Sequence, residues 1–188
     1  MSIVLQGSTS GSITLQEPAV AGSTVLDLPA TSGTILTTGS SGQSIPKAAL
    51  PTGSVLQVVN VTYSTETITS SSTFVDTNLS ASITPTSATS KILVLADNNG
   101  CYKITNDTNI KMQLVRGSTA LAQIEGVGAY TANTTQNNIG SISTNYLDSP
   151  ATTSSVTYKM QMRSDNGASV GVQRNSSVST MTLLEIAA

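Results

Sequence analysis

Gly53-Ser-Val-Leu-Gln-Val-Val-Asn-Val-Thr-Tyr63 is the stretch that decides the fold. Val55, Val59, Val61 and Tyr63 recur at period two, with Gln57 the one polar residue among them. Leu56 and Val58 begin the other face, and Asn60 and Thr62 turn it polar. Alternation together with β-branched enrichment marks a strand rather than a helix. The stretch also divides two compositions. Before it there is no aromatic residue, and Lys47 is the one basic residue. Phe74, all five tyrosines and the other seven basic residues lie at or beyond it. It therefore reads as the first strand of a globular domain, 53–188, and residues 1–52 read as a different kind of segment.

The composition agrees with a β protein. Charged residues make up 10% of the 188, against about 25% in an average domain. Ser and Thr together supply about a third. The mean hydropathy is +0.08, so the chain is weakly charged without being strongly apolar. Disorder of the usual kind needs high net charge, and this chain carries −2. Thr, Val and Ile suit pleated surfaces, which gives an all-β class.

The same totals exclude several functions. No basic cluster is present, which argues against a nucleic-acid partner. No apolar run reaches the roughly 18–20 residues that span a bilayer, so membrane insertion is not expected. Met1-Ser-Ile-Val-Leu-Gln-Gly7 lacks the basic start and long apolar core of a secretory signal. The chain has no histidine, which removes Ser-His-Asp and Cys-His catalysis and His-ligated metals. Cys101 is the single cysteine and reads as a small buried filler. Without tryptophan, the largest aromatic platform for sugar stacking is missing.

Residues 1–52 contain an internal repeat aligned on Gly11, Gly22 and Gly33. The units read Gly-Ser-Ile-Thr-Leu-Gln-Glu-Pro-Ala, Gly-Ser-Thr-Val-Leu-Asp-Leu-Pro-Ala and Gly-Thr-Ile-Leu-Thr-Thr-Gly. About two and a half units are present, each looking like a short strand reset by glycine, and Pro18 and Pro29 close the first two with a turn. The segment has too little apolar surface to offset roughly 1–2 kcal/mol of backbone entropy per residue. Intertwining with copies of itself or docking on a larger partner would solve this, as in a fibre shaft or an attachment collar. A tail that orders on binding is the alternative. Gly39-Ser-Ser-Gly-Gln-Ser-Ile-Pro46 is a linker signal, and Lys47–Leu50 can form one turn.

From residue 53 onward, strand signals alternate with turn signals. Ile68 and Phe74-Val75 lie in a Thr/Ser-rich second strand, and Leu79–Ile83 forms a short one. Lys91–Asp97 reads as a strand buried on both faces, and Asn98-Asn-Gly100 as a turn. Ile110, Met112 and Leu114 share one face, and a Gly117-Ser118 turn leads to Ala120–Ile124. Residues 126–140 look like a long loop around Tyr130, overlapping a strand region that runs from Ile139 to Leu147. Val156, Tyr158, Met160 and Met162 point inward, and Thr157, Lys159, Gln161 and Arg163 point outward. Asp165-Asn-Gly167 is a hairpin signal returning through Val170 and Val172, and Thr180–Ile186 closes the chain as a buried strand. Eight to ten strands at this spacing predict a β-sandwich of jelly-roll type.

Several stretches carry a family resemblance. Gly11-Ser-Ile-Thr-Leu15 through Leu28-Pro-Ala-Thr-Ser-Gly-Thr-Ile-Leu-Thr-Thr-Gly39 resembles repeats in structural appendage proteins of tailed bacteriophages. Ile45-Pro-Lys-Ala-Ala-Leu-Pro-Thr-Gly-Ser-Val-Leu-Gln-Val-Val59, Ser90-Lys-Ile-Leu-Val94, Leu114-Val-Arg-Gly-Ser-Thr119, Tyr146-Leu-Asp-Ser-Pro-Ala151, Val156-Thr-Tyr-Lys159 and Leu183-Leu-Glu-Ile186 resemble the same group, often from phages of aquatic bacteria such as cyanophages. The resemblance covers most of the chain, and its motifs are structural. It implies a homotrimeric virion component, a head or tail fibre or a capsid decoration protein. Residues 1–52 would be a shaft or anchor attached to other virion proteins, with 53–188 as an outward β knob.

Chemistry is sparse. Glu66, Asp76, Asp97, Asp107, Glu125, Asp148, Asp165 and Glu185 are the carboxylates of the domain, and nothing in their spacing pairs two for glycosidase work. Glu125 alone adjoins the long loop. Asp97-Asn-Asn-Gly100 and Asn106-Asp-Thr-Asn109 are fragments of a Ca²⁺ loop without its distal bidentate Glu, and turn chemistry is the better reading. No catalytic residue, metal ligand or cofactor is assigned. The candidate ligand-binding residues are Tyr130, Asn133 and Asn137, since Tyr and Asn suit host-surface glycan and long loops on rigid sandwiches carry binding. The same loop could equally be buried between subunits.

Overall fold

The protein is described by a computed structural model. It describes residues 3–6, 12–15, 47 and 50–188. The chain divides into two compact units, Met1–Ser44 and Ile45–Ala188. In the first, β1 (Ile3–Gln6) pairs antiparallel with β2 (Ser12–Leu15), Ile3 opposite Leu15 and Gln6 opposite Ser12. β2 is the strand expected after Gly11. The repeat units that begin at Gly22 and Gly33 lie outside the described residues.

The second unit opens on a turn in which the Leu50 amide donates to the Lys47 carbonyl at 3.2 Å. Ten strands follow: β3 (Val55–Tyr63), β4 (Thr67–Thr69), β5 (Val75–Ile83), β6 (Lys91–Lys103), β7 (Ile110–Arg116), β8 (Thr119–Gly128), β9 (Asn137–Asp148), β10 (Val156–Ser164), β11 (Val170–Val172) and β12 (Ser179–Ile186). They form two antiparallel sheets. One has the order β5-β10-β7-β8. In the other, β6 pairs with β9 on one side, and with β12 and then β11 along the other. β12 and β11 in turn pair with β3 and β4. Taking β3/β4 and β11/β12 each as one interrupted strand leaves eight strands and two four-stranded sheets. Numbered along the chain, their orders are 1-8-3-6 and 2-7-4-5. This is a jelly roll, two Greek keys folded into a sandwich.

The core lies between the sheets. Ile92, Val94, Ala96, Met181 and Leu183 face Leu79, Ala81, Met112, Leu114, Tyr158, Met160 and Met162, all buried. The period-two face read at Val156–Met162 is therefore the inner face of a central strand. Its outer side is also as expected: Lys159 reaches Asp76 at 3.0 Å, and Arg163 lies 5.4 Å from the Phe74 ring. Changing Lys159 or Arg163 to Gln is expected to shift stability by no more than about 0.5 kcal/mol, because exposed ion pairs contribute little. A large loss in urea titration would mean the strand is inverted.

Four expectations are corrected. Lys91–Asp97 is buried on one face only: Leu93 is half-buried and Leu95 is exposed. An antiparallel sandwich covers one side of each sheet. Asn98–Gly100 does not turn the chain, because β6 runs through it to Lys103 and Gly100 takes φ +63 as a bulge. Asp165–Gly167 joins β10 to a strand of the opposite sheet, so it is a crossover and not a hairpin. Ile68 and Val75 likewise belong to different sheets. Each error has one source: turn residues announce a change of direction but not which sheet receives the next strand.

Candidate functional site

The site is built around the bulge in β6. On one side of β6 the register with β9 shifts at Gly140, which has φ +84. On the other side the ladder is interrupted between β11 and β12. There Gln173–Val178 bulges away from the sheet, with a 3-10 turn at Arg174–Ser176. Gln173, Asn175 and Ser176 are left-handed, with φ 56, 53 and 61. The excursion is pinned to β6 by two bonds. The Gln173 amide donates to the Asn99 carbonyl at 2.8 Å, and Asn99 Nδ2 donates to the Val178 carbonyl at 2.7 Å.

Arg174 is the cation of this site. Its guanidinium lies 4.5 Å from the centre of the buried Tyr102 ring and donates to Asn138 Oδ1 at 3.1 Å. Burial first, and Glu66 second, push the Tyr102 hydroxyl up to about 12, so the ring stays neutral beneath Arg174. Asn99, Asn138, Ser141, Arg174 and Asn175 then line an open concavity of about 570 Å³ over the bulge. Its chemistry is that of amides and hydroxyls with one pre-positioned guanidinium. Such groups orient a polar ligand by hydrogen bonds and contribute little apolar burial.

The Tyr130 loop joins β8 to β9. Strands β8 and β9 extend further than the sequence suggests, so the loop is residues 129–136. Asn137 pairs with Lys103 and Asn138 with Tyr102, so the loop runs into β9 just before Asn138, one of the residues lining the concavity. Tyr130 is half exposed, at 49%, and Asn133 is exposed. Asn137 is used internally: its Nδ2 donates to the Ala129 carbonyl at 3.1 Å and braces the loop base. Tyr130 and Asn133 thus present surface to solvent, while Asn137 supports them from below.

Lys103 holds the loop down. It is fully buried, donates to the Thr131 carbonyl at 2.6 Å and lies 5.8 Å from the Tyr130 ring. Lys103→Met keeps the stem and removes the charge-assisted bond. Amide exchange over residues 129–134 is expected to rise about tenfold, the ratio given by about 1.4 kcal/mol. The melting temperature should hold or rise, because a buried ammonium is replaced by an apolar group. Unchanged exchange would show that the lysine does not anchor the loop. Sequence reading missed both Lys103 and Arg174. The available signal was a lysine inside a strand pattern, and an Arg-Asn-Ser run between two strands.

The carboxylates are dispersed. Asp165 pairs with Lys111, and Asp148 accepts from Arg116 at 2.6 Å and from the buried Tyr158 hydroxyl at 2.6 Å. Burial first, then Asp148, raises the Tyr158 pKa. Glu125 accepts from the Val127 amide at 2.7 Å, within its own strand. Asp97 accepts from Ser143 at 2.7 Å and from Asn99 at 3.1 Å. Among the described residues no group of three or more Cys, Asp or Glu could hold a metal. Cys101 is buried, and desolvation pushes its thiol up to about 12. That suits the filler role read from the sequence.

No protein-family model matches the sequence, and no curated protein matches it. Among solved structures, the chain is similar to the VP2 subviral particle of infectious bursal disease virus, with 11% identity and a TM-score of 0.44 over 70% of this chain and 32% of that one. It is also similar to a structure of the Gt strain of the same virus, with 11% identity and a TM-score of 0.43 over 98% of this chain and 46% of that one. The chain thus spans less than half the length of either.

Proposed function

We propose that this chain is a non-catalytic structural protein of a tailed-phage virion, a trimeric fibre or capsid decoration protein. Residues 1–52 attach it to other virion proteins in the particle, and the jelly roll projects as a knob. The observation that carries this reading is the strand order 1-8-3-6 and 2-7-4-5, an arrangement that recurs in capsid and lectin domains. The Gly/Pro-punctuated repeat ahead of it, with its resemblance to phage appendages, supports the attachment role. A further support for self-association is an apolar row on the outer face. Val58, Leu184, Leu93 and Leu147 lie side by side across all four strands, with no charge among them. A second copy, equally uncharged there, is the partner this reading places on the row.

Light scattering on the full chain tests the oligomer: three times the 19.2 kDa chain mass is expected. Leu147→Glu on the row should lower that mass. Cryo-electron microscopy of the parent particle tests the rest. Trimeric density rooted by residues 1–52 supports it. A monomer at all concentrations, or a particle without this density, overturns it.

A second reading is favoured by the polar concavity around Arg174. There the knob recognises a host-surface glycan, with Arg174, Asn138 and Asn175 as hydrogen-bonding partners and the exposed Tyr130 and Asn133 of the neighbouring loop as further contacts. Glycan-array binding lost in Arg174→Ala and Tyr130→Ala would establish it. No binding to any glycan by the intact oligomer would remove it and leave the structural role.

A further inference from the structure

Behind the Gln173–Val178 excursion, the sandwich interior holds polar side chains that the concavity does not use. Asn98 is fully buried, and neither its Nδ2 nor its Oδ1 has a partner. Gln173 is also fully buried. Its Nε2 donates to Ser179 Oγ at 3.1 Å, and its Oε1 has no partner. Ser179 Oγ accepts in addition from the amide of Asn99, the residue after Asn98, at 2.9 Å. Thr180 pairs with Asp97, so the buried Asn98 and Ser179 are the next residues along β6 and β12, and Gln173 reaches the same hydroxyl. The Cys101 thiol donates to the Asn98 carbonyl at 3.0 Å.

We propose that this buried polar cluster is a hydration site, in which one or two internal waters are held by the side chains of Asn98 and Gln173. The chemistry selects the ligand. The three orphaned atoms are two acceptors and one donor, and buried polar groups of this kind are satisfied in nearly all proteins. A cation would serve both oxygens and leave Asn98 Nδ2 unbonded. An anion would do the reverse. Water both gives and receives, and internal waters characteristically make about three such bonds. The site also has a structural task. Gln173 sits in a left-handed conformation that a side chain with a Cβ adopts at a cost. Water joining its side chain to Asn98 ties the excursion to β6 from inside, and so fixes the wall that carries Arg174.

A crystal structure of the full chain at about 1.8 Å or better tests this. The expected result is a density peak within hydrogen-bond reach of both Asn98 Nδ2 and Gln173 Oε1. Oxygen-17 relaxation dispersion should count at least one long-lived water that Asn98→Leu abolishes. The same variant should melt several degrees lower and exchange amides faster over residues 173–178. Absent density, with both amides turned onto protein partners, overturns the proposal. So does a peak at the shorter distances of a coordinated metal ion. A rise in melting temperature in Asn98→Leu also overturns it, because an apolar isostere relieves an amide that was never satisfied. If Asn98→Leu fails to fold, the wild-type density decides alone.

Discussion

Gly100→Ala is expected to destabilise the jelly roll by about 3 kcal/mol, as two separate costs. The first is conformational: at φ +63 an L side chain pays roughly 1–2 kcal/mol that glycine does not. The second is steric. A Cβ at residue 100 would lie 2.5 Å from the Arg174 amide nitrogen and 2.9 Å from Ser177 Cβ. The nearer atom is backbone, so the whole excursion must shift, and overpacking of this kind costs about 1–3 kcal/mol. Gly117→Ala separates the two. Gly117 has φ +58 in the β7–β8 turn, and a Cβ there meets nothing within 4 Å. It should lose only the conformational part, about 1 kcal/mol. Urea titrations of both variants check this. Equal losses would show that the excursion does not bear on Gly100. Because the same segment carries Arg174, Gly100→Ala should also disturb the concavity more than Gly117→Ala does.

Glu185→Leu is expected to cost about 3 kcal/mol, because a buried carboxylate is the clamp for the β5–β6 crossover. Glu185 is solvent-inaccessible on the inner face of β12. One carboxylate oxygen accepts from the Thr86 amide and hydroxyl, each at 2.7 Å, and the other accepts from Gln57 Nε2 at 2.6 Å. Gln57 also donates to the Thr84 carbonyl at 2.7 Å, so one network ties β3, β12 and the crossover. Bonds to a charged group contribute roughly 1.5–3 kcal/mol each where they are buried. Thr86 is exposed and can be rehydrated, which keeps the total near the lower multiple.

The same carboxylate makes stability depend on pH. Desolvation alone would raise its pKa, but Thr86 first, then Ser90 and Gln57, outweigh it, and the net shift is downward from 4.5. A depressed carboxylate stabilises the fold above its unfolded pKa. That contribution is lost as pH falls from about 4.5 through the lower folded value. Asp76 and Asp165 are also depressed and add to the acid transition. Glu185→Gln should flatten the slope below pH 4.5 without abolishing it. An unchanged acid slope in that variant would show that folding does not lower the pKa of this carboxylate.

Much of the strand content was legible because alternation is local. Val156–Met162 shows its inner face in the sequence, and Tyr158, Met160 and Met162 are all fully buried. The Thr180–Ile186 strand was read as buried, and its inward residues are Met181, Leu183 and Glu185. The loop around Tyr130 was visible from its Gly, Thr and Asn content, and Tyr130 and Asn133 do lie on its surface. Asn137 was not separable from them, because its role depends on the distance to Ala129 across the loop base. Arg174 and Lys103 carried no local signature. What matters about Arg174 is the Tyr102 ring under it, 72 residues away in the chain. What matters about Lys103 is that the Thr131 carbonyl meets it in the interior.

By itself, the sequence determined that this is a β protein with a strand at Val55–Tyr63, an inner face at Tyr158–Met162 and few charged residues. These properties follow from period-two patterning and composition, which are set by neighbours in the chain. The tertiary structure alone decided which sheet receives each strand, where β6 bulges, and hence where the concavity lies. The physical reason is register. Strand pairing joins residues tens of positions apart, and one left-handed glycine at residue 100 displaces the partners on both sides of β6. No local pattern in the chain specifies that alignment, and the polar site exists only where two interrupted ladders coincide.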